Sequence, residues 1–214
     1  MKRLAARYAL ASPYLFVLFY LIIGFLTPGY SHTKHTISRL SLGAYGYLET
    51  LNIVQFSFGL LTMIYLIRSH IRNSHTVKQI SVMLSAIALT LVLVAVFPTD
   101  PIDSFPQKIL SISWSALVHF GIIGCFVVCT PILVHRLYSV FTKDPMYRDL
   151  ALTTLICGWM TFVLCILWFL FFYFGVIPEY RGLFQKIIAM IVIYWTTRIM
   201  KRIADTTRAD SSQT

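Results

Sequence analysis

The feature that most constrains this chain is a series of six long apolar runs. They lie at Tyr8–Thr27, Leu48–Ile67, Ile80–Phe97, Ile112–Val134, Leu150–Val176 and Leu183–Met200. A helix of about 20 apolar residues crosses the ~30 Å hydrocarbon core of a bilayer, and a spanning segment must satisfy its own backbone hydrogen bonds. The runs therefore predict an all-α, polytopic membrane protein built as a bundle of six transmembrane helices.

Composition excludes the main competing classes of protein. Of the residues, 57% are hydrophobic and only 12% are charged, whereas about a quarter of the residues in soluble domains are charged. A soluble globule of this composition would expose large apolar patches, and its 15% aromatic content excludes a disordered chain. We expect a single transmembrane domain over residues 1–203 and a polar cytoplasmic tail over residues 204–214.

The basic residues are distributed unequally between the two sides of the predicted bundle. Thirteen of the 18 lysines and arginines fall in the N-terminal segment, the second and fourth loops and the C-terminal end, and five fall in the other loops. The positive-inside rule then predicts a cell-membrane protein with both termini in the cytoplasm. We expect the first run to be a retained anchor, since its apolar part is too long for a signal peptide. The net charge of +10 is a topology signal, so no nucleic-acid partner is expected.

The four cysteines all lie within apolar runs, at Cys125, Cys129, Cys157 and Cys165. Cysteines in such surroundings behave as small hydrophobic residues. We predict that they are free and buried, and that they form no disulfide framework.

Polar and ionisable residues concentrate at the predicted outer ends of the helices. The set comprises Ser38 and Arg39 in the first outer loop, Glu49, Asn52 and Gln55 in the second helix, Asp100 and His119 around the third outer turn, and Arg181, Gln185 and Lys186 at the start of the sixth helix. An unpaired charge in lipid costs several kcal/mol, so such groups usually face the interior of a bundle and find partners. We predict that seven of them converge on one outward-facing pocket: Ser38, Arg39, Glu49, Asn52, Asp100, His119 and Arg181.

Binding or transport of a lipid or another amphiphile is the first functional hypothesis. Arg39, Arg181 and Lys186 suit a phosphate or carboxylate headgroup, and the predicted ligand-binding set is completed by Glu49, Asn52, Gln55 and Gln185. The aromatic run Trp168–Phe174 is either an interfacial belt or a surface along which the tail lies. Membrane lipid is the expected partner, no protein partner is indicated, and the sequence leaves open whether a cofactor is bound.

A membrane-embedded hydrolase acting on outer-leaflet lipid is the alternative hypothesis. His119 would be the general base, Asp100 its orienting carboxylate and Ser38 the nucleophile. In a metalloenzyme, His32, His35 and His119 would be the metal ligands; otherwise no metal is predicted. Membrane hydrolases of the CREST superfamily carry a His-x-x-x-His pair in a late helix, and the fifth and sixth runs here contain no histidine. Whether the protein is an enzyme stays open.

Structural roles compete with each of these assignments. His119 is equally consistent with a hydrogen-bonded packing residue, Asp100 with a turn and helix cap after Pro98, and Glu49 with a charge that complements a helix N-terminus. A third hypothesis is an assembly partner of another membrane protein, with small residues such as Gly121 and Gly124 at the helix contacts.

Several segments together resemble a known family. They are His35–Gly43, a helix with Asn52 and Gly59, Phe97–Pro101, His119 early in the next helix, and Gly182–Lys186. This combination is similar to the uncharacterised bacterial and archaeal membrane family called domain of unknown function 998. The resemblance implies the fold and the location of the site, but no activity. A fainter similarity links Ile37, Ser38, Gly43 and Glu49 to the Frag/DRAM-like six-helix membrane proteins.

Overall fold

A computed structural model of the protein describes residues 2–70, 75–100 and 112–211. Within these ranges the chain forms six long helices and no strand: α1 (Lys2–Leu26), α2 (Gly46–His70), α3 (His75–Val96), α4 (Trp114–Lys143), α5 (Ala151–Tyr173) and α6 (Arg181–Ser211). Each helix is long and apolar enough to span a membrane. The prediction of an all-α bundle of six transmembrane helices is confirmed, with one helix for each apolar run.

The helix ends follow from local backbone chemistry. The Ser113 side chain accepts a hydrogen bond from the Ala116 amide (3.2 Å) and so caps α4. The turn from α5 to α6 contains Gly175 at φ +65° and Ile177 at φ 48°, and Pro178 prevents α5 from continuing. No such signal ends α6 at residue 203: the helix extends through Ser211 into the segment predicted as a polar tail.

The six helices form a closed ring in which each packs against the next along the chain. α6 returns to contact both α1 and α2. Hydrogen bonds between neighbouring helices support this packing: Trp195 Nε1 donates to Thr154 Oγ1 (3.1 Å) and Ser57 Oγ donates to the Ala88 carbonyl (3.0 Å). Each bond gives a hydrogen-bond partner to a polar side chain that lies in an apolar medium.

The two ends of the ring differ in composition. We name the end formed by residues 27–45, 97–100, 112–113 and 174–180 the polar end, and the opposite end, with residues 75–78, 143–150 and 201–205, the basic end. At the basic end Thr76 Oγ1 donates to Asp144 Oδ2 (2.7 Å) and Arg202 pairs with Asp149 (3.3 Å). That the basic end faces the cytoplasm stays a prediction.

The four cysteines are free, but the prediction that all are buried is wrong for two of them. Cys157 is buried and Cys165 is half-buried, whereas Cys125 and Cys129 are exposed on α4. Their spacing of four residues places them on one helical face, which the ring turns outward. Because the outside of a membrane bundle is as apolar as its core, hydropathy does not distinguish the two positions.

Candidate functional site

The first loop of the polar end folds over the bundle. Its 3-10 helix, Ile37–Leu42, inserts Ile37 (8% exposed) and Leu40 (0% exposed) into the core. Gly43 closes this turn through a hydrogen bond from its amide to the Leu40 carbonyl (3.0 Å). The loop therefore forms a roof over the helices.

The start of α6 holds this roof in place. Four hydrogen bonds join them: Leu183 N to the Thr33 carbonyl (2.8 Å), Lys186 Nζ to the His35 carbonyl (2.7 Å), Ile37 N to Gln185 Oε1 (2.8 Å), and Arg181 Nε to the Lys34 carbonyl (3.5 Å). Gly182 allows the close approach, because a Cβ at this position would collide with the backbone of His35. The loop is thus attached to α6 at several points.

Asp100 joins the end of α3 to the start of α4. Its Oδ2 accepts from the Ser113 amide (2.7 Å) and its Oδ1 from the Ser113 hydroxyl (2.6 Å). Ser113 in turn caps α4. Asp100 therefore holds the capping residue of α4 in place, which is the structural one of the two roles that the sequence leaves open for it.

His119 is almost fully buried, at 2% exposure, near the start of α4. Its Nδ1 lies 2.7 Å from the Phe97 carbonyl. Since a carbonyl can only accept, Nδ1 carries the hydrogen, and Nε2 of the neutral ring keeps its lone pair. Among the described residues no hydrogen bond joins His119 to Asp100 or to Ser38. In the structure the His119 ring is therefore oriented by the Phe97 carbonyl and not by Asp100, and a catalytic role for either residue stays a prediction.

A small polar cavity lies between the roof and the starts of α4 and α6. Its volume is about 30 Å³, and it is lined by Thr36, Ser38, Arg39, Thr99, Asp100, His119, Phe120, Ile123, Trp168, Phe172, Arg181 and Gln185. We name it the mouth. It brings together five of the seven residues predicted to converge, Ser38, Arg39, Asp100, His119 and Arg181, and it adds Gln185 from the predicted ligand-binding set.

A larger, mostly apolar cavity adjoins the mouth inside the ring. Its volume is about 230 Å³, and all six helices line it, through residues such as Phe16, Phe56, Leu91, Val127, Phe169 and Ile193. We name it the chamber. Five residues line both cavities: Ser38, His119, Ile123, Trp168 and Gln185. A polar entrance and an apolar interior therefore meet at shared walls.

Trp168 and Phe172 belong to the mouth, although sequence reasoning did not select them as site residues. Trp168 Nε1 donates to the Arg181 carbonyl (3.0 Å), and its ring stacks on Phe172 with centroids 5.4 Å apart. The Arg181 guanidinium lies 5.5 Å from the centre of the Phe172 ring. Their spacing of four residues on α5 was the available signal, since it places both rings on one face.

Glu49, Asn52 and Gln55 lie apart from the mouth, at the contact between α1 and α2. Asn52 Nδ2 donates to the Phe16 carbonyl (3.1 Å), and Gln55 Nε2 donates to the Ser12 carbonyl (3.2 Å). None of the three lines the mouth or the chamber. The prediction that Glu49 and Asn52 share one pocket with the other five residues is wrong, because the backbone of α1 provides acceptors for the amides of Asn52 and Gln55.

Glu49 is a buried carboxylate with incomplete hydrogen bonding. The residue is 0% exposed, and its Oε2 accepts from Asn52 at 3.4 Å. Its Oε1 has no hydrogen-bond partner in the part of the chain that the structure describes. Lys186 is close enough for the two charges to interact, so the pair partly offsets the cost of burying each charge.

The remaining predicted residues, His32, His35 and Lys186, do not line the mouth. Lys186 Nζ lies 5.3 Å from the centre of the Tyr30 ring, and His35 Nδ1 accepts from the Ser31 amide (3.0 Å). Burial lowers the pKa of His32, and the charge of Lys186 lowers it further. Burial also raises the pKa of the Tyr30 phenol, with a smaller contribution from Glu49.

The histidines are not assembled as a metal site. Within residues 2–70, 75–100 and 112–211 no three His, Cys, Asp or Glu side chains are placed to hold a metal ion. His119 lines the mouth, whereas His32 lines a different cavity. The metalloenzyme set of His32, His35 and His119 therefore has no geometric support.

Six spans around a polar entrance and an apolar cavity define a multi-pass membrane protein. The chain belongs to the family described as "Protein of unknown function (DUF998)", which matches residues 10–199. The resemblance to that family is confirmed, and the similarity to the Frag/DRAM-like proteins stays a prediction. No curated protein and no solved structure matches the chain. Pro101, the last residue of the family segment Phe97–Pro101, lies outside the described ranges.

Proposed function

We propose that the protein binds an anionic, single-chain amphiphile, with the headgroup in the mouth and the tail in the chamber. The observation that carries this proposal is the shared wall of the two cavities, where Ser38, His119 and Gln185 line both. An amphiphile needs this combination of a polar compartment and an apolar one.

The charges of the mouth favour an anionic headgroup. Among the described residues, two guanidinium groups (Arg39 and Arg181) and one carboxylate (Asp100) line it. Both carboxylate oxygens of Asp100 already accept hydrogen bonds from Ser113. Guanidinium groups bind carboxylates and phosphates through paired hydrogen bonds, so the charge of the mouth suits either headgroup, of which a volume of about 30 Å³ admits only the anionic oxygens.

The size of the chamber favours one chain. A cavity of about 150 Å³ is enough to bind a benzene molecule, and the chamber has about 230 Å³. This volume suits part of one alkyl chain and is too small for the two chains of a membrane phospholipid. The expected ligands are therefore fatty acids, lysophospholipids or related single-chain anions.

Native mass spectrometry of the purified protein with added lysophosphatidylglycerol tests this proposal. Arg39→Gln removes a mouth charge, and Lys34→Gln removes the same charge from an exposed position in the same loop. We expect Arg39→Gln to weaken binding at least about tenfold, or ~1.4 kcal/mol, and Lys34→Gln to leave it unchanged. Equal binding by all three proteins would contradict the proposal.

A membrane hydrolase is the second candidate, because Ser38, Asp100 and His119 line the same cavity. In that reaction His119 Nε2 would accept the proton of the Ser38 hydroxyl. Incubating the protein with lysophosphatidylglycerol and measuring released fatty acid tests this candidate. Release that is lost in both Ser38→Ala and His119→Gln, while binding persists, would establish an enzyme.

We infer that the basic end lies in the cytoplasm of a cell-membrane protein, so that the mouth opens to the outside. The unequal distribution of lysine and arginine supports this orientation. Reporter fusions after Tyr147 and after Ser31 test it. The first should report a cytoplasmic location and the second an external one, and the reverse result would contradict the inference.

A further inference from the structure

A long groove lies on the outer surface of the ring, between α1 and α5, with α6 as its floor. Its volume is about 700 Å³. On α6 it is lined by Leu183, Ile187, Met190 and Tyr194, whose spacings of three and four residues form one stripe along the helix. The groove is therefore a continuous apolar track that begins at the roof.

The groove has the length of one membrane leaflet. Leu183 and Tyr194 are its highest and lowest contacts on α6, and at 1.5 Å per residue they lie ~16 Å apart along the helix. Half of a ~30 Å hydrocarbon core is ~15 Å. An acyl chain that starts at the polar end would end near the membrane centre, at the foot of the groove.

A buried positive charge lies at the upper end of the groove. Lys186 is 6% exposed and lines the groove. Its ammonium donates to the carbonyls of His35 (2.7 Å) and Gly182 (3.5 Å). An ammonium has three donors, and no third acceptor is found among the residues that the structure describes. Glu49 is close enough for its charge to interact, but no described carboxylate is in ion-pair contact with Lys186.

His32 adds unused hydrogen-bonding capacity at the same place. It lines the groove next to Lys186, and both of its ring nitrogens are buried without a partner in the described part of the chain. The ring packs against Gly24, where a Cβ would collide with it. A buried polar group without a partner is costly, and an anionic oxygen at the head of the groove would supply one for both residues.

We propose that this groove binds a glycerophospholipid from the leaflet at the polar end, with its phosphate at Lys186 and His32 and one acyl chain along the α6 stripe. The site is separate from the mouth and the chamber. Adjacent α6 residues line the two cavities, with Gln185 and Ala189 in the chamber and Lys186 and Met190 in the groove. This proposal does not depend on the proposed function.

Native mass spectrometry of the full chain with two lipids of identical acyl chains tests the headgroup contact. The lipids are phosphatidylglycerol and a neutral galactolipid that lacks phosphate. We expect the wild type to bind phosphatidylglycerol at least tenfold more tightly than the galactolipid. Lys186→Gln should abolish that preference, and Lys34→Gln, which removes an exposed lysine from the roof, should keep it. Equal binding of the two lipids by the wild type would overturn the proposal.

Two further variants separate the headgroup contact from folding of the roof and from the chamber. Lys186→Arg keeps the charge and should keep the preference, while Met190→Trp fills the groove, leaves Lys186 in place and should lower phosphatidylglycerol binding at least tenfold. Ala189→Phe fills the chamber and should leave phosphatidylglycerol binding unchanged. Loss in Ala189→Phe with retention in Met190→Trp would place the lipid in the chamber and overturn the proposal.

Discussion

Charged side chains are buried near the polar end of the bundle and exposed at its basic end. In the helices next to the polar end Glu49 and Lys186 are buried, and Lys186 donates to the His35 carbonyl of the roof. At the basic end Arg202 and Asp149 form an ion pair whose side chains are 37% and 49% exposed. Exposed pairs of this kind contribute little to stability, whereas buried charges must be held in a fixed arrangement.

This contrast shows where specific chemistry can be built in the molecule. Burying charged groups is expensive, so several contacts hold each of them near the polar end. The mouth lies at the same end. The paired charges of the basic end are partly exposed, and we infer that the basic residues there set the orientation in the membrane. We therefore expect substitutions at the polar end to have the larger effects.

The largest expected effect tests how firmly the roof is attached. Gly182→Ala places a Cβ against the backbone of His35, and we expect it to lower the free energy of unfolding by about 3 kcal/mol, as for other strongly overpacked sites. Gly121→Ala is the matched control, because no atom lies near its Cβ position. Thermal unfolding of both variants in detergent gives the comparison; equal stability would show that the roof is loosely attached.

The next effect concerns the joint between α3 and α4. Asp100→Ala removes both acceptors of Ser113 at the start of α4, and loss of a helix cap costs about 1–2 kcal/mol. Glu179→Ala removes an exposed carboxylate at the same end and should cost less than ~0.5 kcal/mol. Chemical unfolding measures both, and an Asp100→Ala variant as stable as Glu179→Ala would remove the capping role.

A smaller effect depends on pH. The folded-state pKa of His32 lies below the ordinary value of 6.5, so the unfolded state binds more protons in this range, and stability rises with pH. We expect the melting temperature to fall as the pH is lowered from about 7.5 to about 5.5, and to fall less in His32→Phe. His75→Phe, an exposed histidine at the basic end, should behave as the wild type does. Identical acid sensitivity of all three proteins would contradict the assignment.

The smallest effect is expected at the basic end. Arg202→Gln breaks the exposed pair with Asp149, for which we expect a loss of less than ~1 kcal/mol that diminishes as salt is added. Unfolding at low and high ionic strength measures it. A loss as large as that of Gly182→Ala would erase the contrast between the two ends.

The sequence predicted the six helices because each apolar run is long and ends at polar or helix-breaking residues. It also selected Asp100 and His119, since a carboxylate after Pro98 and a histidine inside an apolar helix are conspicuous. It did not predict which side of a helix faces lipid. Lipid and protein interior are equally apolar, so the outward position of Cys125 carries no signal in hydropathy.

Two neighbouring residues at the start of α6 also show that the sequence does not predict which way a side chain faces. Gln185 and Lys186 are adjacent polar residues, yet one lines the mouth and the chamber and the other lines the groove. Likewise Asn52 faces the carbonyls of α1. Which way each of these side chains faces depends on how α6 packs against α1 and α2 to close the ring. Those helices are distant from α6 in the sequence.

The central claim is that the mouth and the chamber form one site for a single-chain anionic amphiphile. Its most direct test is the amount of lysophosphatidylglycerol retained by Ala189→Phe, in which a large ring fills the chamber. The control is Ala11→Phe, the same change at an exposed position of α1. We predict that the wild type and Ala11→Phe retain the lipid and that Ala189→Phe, while still folded, loses it. Equal retention by Ala189→Phe and Ala11→Phe would contradict the account.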